Sequence, residues 1–79
     1  STSVDELNIA GMMVYPNPSN SSIWIIIPEI QNINIYNVTG QKITTLKGNL
    51  NYHLDISEWS NGVYFIQTEN GLMQKFVKQ

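Results

Sequence analysis

The chain contains no cysteine and no arginine, and its 79 residues include only four lysines and one histidine. Without cysteine the chain has no disulfide, no thiolate metal site and no thiol nucleophile. A formal net charge of −2 argues against nucleic-acid binding, for which a basic face is expected. The longest apolar run, Ile23 to Ile27, is far too short to cross a bilayer. No disulfide and no thiolate-bound metal can therefore compensate for a small core.

Length and composition predict one small domain rich in turns. A chain of this length buries about 60–65% of its extended-chain surface, so we expect marginal stability. Low charge and abundant asparagine suit a secreted β domain. Ser1 is not a natural start, and the opening residues lack a basic segment followed by an apolar one. We therefore expect a piece of a larger protein, with residues 1–11 as a linker from an upstream domain and residues 12–79 as the folded domain.

The segment from Trp59 to Thr68 is predicted to organise the fold. Asn61-Gly62 is a turn signal, because both residue types tolerate positive φ. The unbroken run from Val63 to Ile66 is β-branched and aromatic, which predicts a strand buried on both faces and central in a sheet. Its Tyr64 has the position of a tyrosine corner, in which the hydroxyl bonds to backbone upstream. We expect that backbone partner within Leu54 to Ser57.

Alternating apolar residues and turn signals divide the remaining chain into short strands. Pro28 should end one strand, and Gly48-Asn49 and Glu69-Asn70-Gly71 should be turns. The predicted core residues are Ile23, Ile25, Ile33, Ile35, Leu54, Ile56, Tyr64 and Ile66. The predicted fold class is all-β: an Ig-like antiparallel sandwich of about seven short strands with Greek-key connections and no helix beyond a single turn.

His53, Asp55 and Ser57 contain the residue types of a catalytic triad at a spacing that forbids one. Alternate residues of a strand lie nearly 7 Å apart, so His53 and Ser57 should be roughly 13 Å apart, too far for a base and its nucleophile. We expect Asp55 and Ser57 to shape a turn instead. One histidine and two dispersed acids, Asp55 and Glu58, show no metal-ligand spacing. The sequence therefore predicts no catalytic residue, metal or cofactor.

The large aromatic residues leave a second class of function open. If Trp24, Tyr36 and Trp59 formed an exposed planar row, they could stack on sugar rings; otherwise they are core or sandwich-edge residues. The alternatives that follow are an Ig-like carbohydrate-binding or adhesive module of a secreted enzyme, and a passive accessory domain.

Four segments match a known family in order and in spacing. They are Tyr15-Pro16-Asn17-Pro18 with Asn20 and the Ile23-Trp24-Ile25 strand, Ile33 to Lys42 with Gly40, Leu54-Asp55-Ile56-Ser57 through Gly62-Val63-Tyr64, and Lys75-Phe76-Val77-Lys78. Together they resemble the type A C-terminal sorting domain of the type IX (Por) secretion system of Bacteroidetes-type bacteria. The resemblance covers about Val14 to Gln79. Two positions depart from it: Asn37 stands where Asp is usual, and Trp59 where an aliphatic residue is common.

The resemblance implies a non-catalytic address tag. Such domains fold in the periplasm as Ig-like sandwiches and direct a covalently fused N-terminal cargo through an outer-membrane translocon, to the cell surface or the medium. A sortase-like cysteine peptidase usually removes the domain and joins the cargo to an anionic lipopolysaccharide. We expect that cleavage within Ser1 to Ala10, at an unspecified bond. The final strand, edged by Lys75 and Lys78, can offer unpaired backbone groups to a partner sheet; in the alternative interpretation, these lysines only make an edge strand soluble.

Overall fold

The computed structural model describes residues 11–79, which form five antiparallel strands. The strands are β1 (Met13–Tyr15), β2 (Ser22–Asn37), β3 (Lys42–Asp55), β4 (Gly62–Thr68) and β5 (Met73–Lys78). The predicted all-β class is confirmed, and this part of the chain has no helix long and apolar enough to cross a membrane. The described residues give five strands in one curled sheet, a half-barrel, rather than a sandwich of seven.

The long strand β2 is the centre of the sheet, because both of its edges are paired. Strand β3 follows one edge from Ser22 to Tyr36. The other edge is divided: β1 pairs with Trp24–Ile26, and β4 pairs with Ile33–Asn37. Strand β5 pairs with β4, so the order is β1-β2-β4-β5 with β3 on the far side of β2. Strands β1 and β4 thus pair with different parts of the same edge of β2.

Pro28 does not end its strand, which corrects the first of two predicted strand boundaries. Between the pairs Ile26–Asn51 and Gln31–Asn49, four residues of β2 (Ile27–Ile30) stand opposite one residue of β3, Leu50. Proline is tolerated in such a bulge because the ladder there does not require its missing N–H group. The strand therefore runs on to Asn37.

Gly48-Asn49 is the second correction, because these residues lie inside β3 and not in a turn. A second register shift places Lys47 and Gly48 opposite Asn32, and side chains provide hydrogen bonds there instead. Gly48 N donates to Asn32 Oδ1 (2.8 Å), and Asn49 N donates to the Tyr52 hydroxyl oxygen (2.9 Å). The Tyr52 hydroxyl donates in turn to Gln31 O (2.8 Å). These contacts keep β3 extended past its glycine.

The core lies on the concave side of the curled sheet. All predicted core residues are buried there except Leu54, which is half-buried against the cluster. Ile33 and Ile35 point inward as predicted, and Met12, Val14, Ile27 and Phe76 complete the buried set. Strand β4 is central, as predicted, but it is not buried on both faces: Val63 and Phe65 are half-exposed, because no described layer covers their side of the sheet.

Candidate functional site

The opening and closing segments of the predicted motif meet through one side chain. Asn17 Oδ1 accepts a hydrogen bond from Val77 N (2.9 Å), and Asn17 Nδ2 donates to Lys75 O (3.2 Å). A carboxamide carries one acceptor and two donors, so it can complete the backbone pairing of a strand much as a neighbouring peptide group would. Asn17 therefore occupies the outer edge of β5 at these two positions.

The backbone of Ser19 also binds the outer edge of β5, next to the Asn17 contact. Ser19 N donates to Val77 O (3.0 Å), and Gln79 N donates to Ser19 O (2.8 Å), as in a parallel bridge between Ser19 and Lys78. Ser19 is buried, and its hydroxyl donates to Ser22 O (2.6 Å) at the start of β2. Tyr15 pairs with Trp24 at the end of β1, and Pro16 and Pro18 are exposed on either side of Asn17. The loop after β1 thus runs along β5.

The prediction that the final strand offers an open edge is therefore wrong for Lys75 to Gln79. Strand β5 does end the β1-β2-β4-β5 series, but the loop at Asn17 and Ser19 already binds its outer backbone groups. Lys78 is also not an exposed edge lysine: it is buried, and its ammonium group donates to Asn61 Oδ1 (3.3 Å) and Gln79 O (3.3 Å). The side chain of Lys75 is exposed, as expected.

Tyr64 makes the predicted type of hydrogen bond to a different partner. Its hydroxyl donates to Ser60 O (2.6 Å), four residues upstream and outside the expected range Leu54 to Ser57. The ring stacks on Phe76 of β5 at 5.3 Å between centroids. Trp59 packs on the same pair, 5.0 Å from Tyr64 and 6.2 Å from Phe76. The tryptophan that departs from the family pattern thus joins an aromatic cluster of motif residues.

Gly62 begins β4 directly opposite Lys78. Its φ is +145°, a conformation that L side chains rarely adopt, and its position would leave a Cβ in open space. Backbone conformation is therefore what requires glycine there. Through Gly62, Tyr64, Phe76 and Lys78, the third and fourth motif segments lie side by side in the β4–β5 pair.

Asn37 and Gly40 form a separate turn at the other end of β2. Asn37 Oδ1 accepts hydrogen bonds from Thr39 N (3.1 Å), the Thr39 hydroxyl (2.7 Å) and Gln41 N (3.0 Å). An aspartate can accept the same bonds, so Asn is a conservative departure at position 37. Gly40 has φ +89°, a conformation that glycine adopts readily in turns. This turn lies apart from the Asn17 contact and shapes the β2–β3 connection.

Asp55 shapes a turn, as predicted, at the end of β3. Its Oδ1 accepts a hydrogen bond from Ser57 N (2.9 Å). The Ser57 backbone N–H and then the Ser57 hydroxyl stabilise the charged carboxylate and hold the pKa of Asp55 below its ordinary value of 3.8, with nearby His53 adding a smaller effect in the same direction. The His53 ring itself stacks on Trp24, 4.3 Å between centroids. Ser57 thus contacts Asp55, whereas the His53 ring contacts Trp24.

The three aromatic residues considered for sugar stacking do not form one row. Trp24 is 40% exposed and lies between Tyr15 and His53 on neighbouring strands. Tyr36 lies beyond the bulge near the other end of β2, and Trp59 packs against the core. Within residues 11–79, no group of three or more histidine, cysteine, aspartate or glutamate side chains could hold a metal ion.

Ser19, Ser60 and Asn61 take part in these contacts and were not predicted. Ser19 and Ser60 act mainly through backbone atoms, which no residue type reveals. The residue type of Asn61 indicates a turn, and it does not indicate that the carboxamide also binds Lys78. The sequence expectation for Ser1 to Ala10, the linker and cleavage region, lies outside the described residues.

Comparison with known proteins identifies the family. The family model described as "Secretion system C-terminal sorting domain" matches residues 13–79, which include every strand. No curated protein and no solved structure matches the chain. The match covers all four motif segments whose contacts are described above. The chain therefore belongs to the family of C-terminal sorting domains of the type IX (Por) secretion system.

Proposed function

We propose that the chain acts as a folded, non-catalytic tag, whose recognised form exists only when its opening and closing motif segments are joined. Family membership makes it a C-terminal sorting signal for export to the cell surface or the medium, with a translocon and an N-terminal cargo as partners. The proposal adds that the translocon reads the folded domain and not a linear peptide.

One observation carries this proposal: Asn17 is hydrogen-bonded to the backbone of Lys75 and Val77. The bonds join the two outermost motif segments, and the β4–β5 pair joins the third segment to the fourth. Residues this distant in sequence present one surface only after the sheet has formed. A short peptide copied from either end would lack that surface.

The remaining parts of the proposed role follow the family. The cargo precedes residues 12–79, the domain folds in the periplasm, and a sortase-like peptidase cuts within Ser1 to Ala10 as it attaches the cargo to the cell surface. The motif residues Tyr15, Pro16, Asn17, Pro18, Gly40, Asp55, Gly62, Tyr64 and Lys75 to Lys78 maintain or present the recognised fold. The domain contributes no catalytic group and no cofactor.

A reporter fused to the complete chain tests the role in a host with the type IX apparatus. The reporter should reach the medium or the cell surface, and a fusion that lacks residues 12–79 should stay inside the cell. A fusion ending with residues 70–79 alone should also stay inside, because it cannot form the Asn17 contact. Equal export of this short fusion would show that a linear signal is sufficient.

Two further measurements address cleavage and catalysis. Mass spectrometry of the exported reporter should locate its new C-terminus within Ser1 to Ala10, and a C-terminus at another place would contradict the proposed cleavage region. The double variant His53→Ala, Ser57→Ala should be exported normally, because neither side chain is assigned a chemical step. Loss of its export with an unchanged melting temperature would contradict the non-catalytic role.

A further inference from the structure

Two lysines enclose two aromatic residues in one row across the convex face of the sheet. Lys42 of β3 pairs with Tyr36 of β2, Tyr36 pairs with Phe65 of β4, and Phe65 pairs with Lys75 of β5. Directly paired residues of neighbouring strands point to the same face of a sheet. Their neighbours Ile35, Ile66 and Phe76 are buried on the opposite face, so Tyr36, Phe65 and Lys75 point away from the core. Lys42 pairs with Tyr36 across a register shift of β3, and it is exposed.

An apolar concavity lies beside the two aromatic residues of this row. It has a volume of about 490 Å³ and is lined by Tyr36, Asn37, Val38, Gly40, Phe65, Gln67 and Met73. Val38 is 70% exposed and Met73 is 51% exposed. Apolar surface that no other layer covers is typical of protein–protein contacts, where tyrosine, phenylalanine and methionine are enriched. The few polar groups of the lining favour an apolar side chain over a sugar, which needs many hydrogen bonds.

The flanking charges define the chemistry of the partner. Lys42 and Lys75 are exposed at the two ends of the row, in a chain whose formal net charge is −2. Three strand spacings separate them, which places their backbones roughly 14 Å apart. In an extended peptide, residues four positions apart are separated by roughly 13 Å and point to the same side. An acid at each of two such positions matches the two lysines, and the residue midway between them faces the concavity.

We propose that this surface, the Lys42–Tyr36–Phe65–Lys75 row and its concavity, binds an extended acidic segment of a partner protein. The segment has the pattern acid-x-apolar-x-acid and lies across the strands, with its central side chain in the concavity. This inference rests on the proposed function, since it names the surface through which the folded tag is read. The lysines provide orientation and the aromatic residues provide the buried contact.

A peptide titration of the complete chain tests the surface directly. The probe is the capped peptide Glu-Ser-Phe-Ser-Glu, and its binding is followed by amide shifts in NMR spectra. Shifts should concentrate at Tyr36, Val38, Phe65 and Met73, and affinity should fall as salt rises, since exposed charge pairs are screened. Glu-Ser-Ala-Ser-Glu lacks the large apolar side chain at its centre, and its affinity should be lower by a factor of roughly ten or more. Absence of shifts at these residues, or shifts spread over other faces, would overturn the proposal.

Charge reversal provides the matched control. The variant Lys42→Glu, Lys75→Glu should lose affinity for the acidic probe by roughly tenfold and should bind Lys-Ser-Phe-Ser-Lys instead. Lys47→Glu changes the same residue type on β3, five positions from Lys42, and should leave binding of the acidic probe nearly unchanged. If Lys47→Glu lowered the affinity for the acidic probe equally, net charge alone would explain the binding, and the proposed surface would be overturned. Sedimentation that shows a second copy of the chain covering this face, with the peptide unable to compete, would overturn it as well.

Export of the reporter fusion separates this inference from the proposed function. If the tag is read through this surface, Lys42→Glu, Lys75→Glu should reduce export at least severalfold while its melting temperature stays within a few degrees of the parent, and Lys47→Glu should not. Normal export of the double variant, with export still lost on deletion of residues 12–79, would overturn only the proposed surface. Export that survives the deletion would overturn the proposed function itself.

Discussion

Asn17 and Val77, 60 residues apart, are joined by a hydrogen bond of 2.9 Å from the Val77 amide to the Asn17 carboxamide oxygen. The same carboxamide donates to Lys75 O (3.2 Å), so one side chain binds both a donor and an acceptor of the final strand. This arrangement covers a strand edge that would otherwise be open to pairing with other chains, a recognised hazard for small β domains. It also connects the beginning of the domain to its end.

Asn17→Ala should lower the stability of the domain, because two backbone groups of β5 lose their partner. A typical hydrogen bond contributes about 0.5–1.5 kcal/mol, so we expect a loss of about 1–2 kcal/mol. For a domain of this size, each kcal/mol lowers the Tm by about 4–8 °C, which calorimetry would detect. Asn20→Ala is the matched control: Asn20 is exposed in the same loop, and its side chain has no hydrogen bond within residues 11–79. A Tm as low for the control as for Asn17→Ala would contradict the role of Asn17.

Tyr64→Phe should cost about 1 kcal/mol, because Ser60 O loses its hydrogen bond while the ring can still pack on Trp59 and Phe76. Urea unfolding should show a lower midpoint with an unchanged slope, as expected when stability alone changes. Tyr36→Phe removes a hydroxyl that has no hydrogen bond inside the described part of the chain, and it should have little effect. If the two variants unfold at the same midpoint, the Tyr64 hydroxyl does not stabilise the turn.

Gly62→Ala should destabilise the domain by about 1–3 kcal/mol, since a non-glycine residue is strained at positive φ. The φ of Gly62 is +145°, and a Cβ there would meet no atom within 4 Å, so the cost comes from the backbone and not from a clash. D-alanine, introduced by chemical synthesis, supplies the sharpest control: positive φ is its ordinary extended conformation, and it should preserve the Tm. Equal losses from L- and D-alanine would point to crowding instead.

The hydrogen bonds that Ser57 donates to Asp55 predict a dependence of stability on acid pH. The folded state lowers the pKa of Asp55 from 3.8, so the charged carboxylate stabilises the fold above that value. As pH falls through 3.8 towards the lower folded-state pKa, the carboxylate becomes protonated and this stabilisation is lost. The Tm difference between the parent chain and Asp55→Asn should therefore shrink below about pH 4. A difference that stays constant between pH 7 and pH 3 would show that the Asp55 charge does not contribute.

Local patterns in the sequence were sufficient for several features of the fold. Ile33 and Ile35 alternate with polar residues, and that period places them in the core whatever the strand order is. Gly40 and Gly71 follow turn-forming residues and have positive φ, as turn chemistry requires. The Asp55–Ser57 turn is equally local, because its hydrogen bond spans two residues. The family resemblance also depended only on residue types and their spacing, and the family match confirms it.

Contacts between distant residues decided the rest. Pro28 and Gly48 resemble strand ends when each is read alone. Pro28 lies in a bulge of β2, and Asn32 and Tyr52 supply hydrogen bonds to Gly48 and Asn49 of β3, so both strands continue. The partner of Tyr64, the burial of Lys78 and the covering of the β5 edge likewise depend on which segments become neighbours. Alternation of residue types is enough to place residues such as Ile33 and Ile35 in the core. Hydrogen bonds across the sheet join backbone groups that every residue type possesses, so the strand edges that remain open to a partner follow only from the tertiary structure.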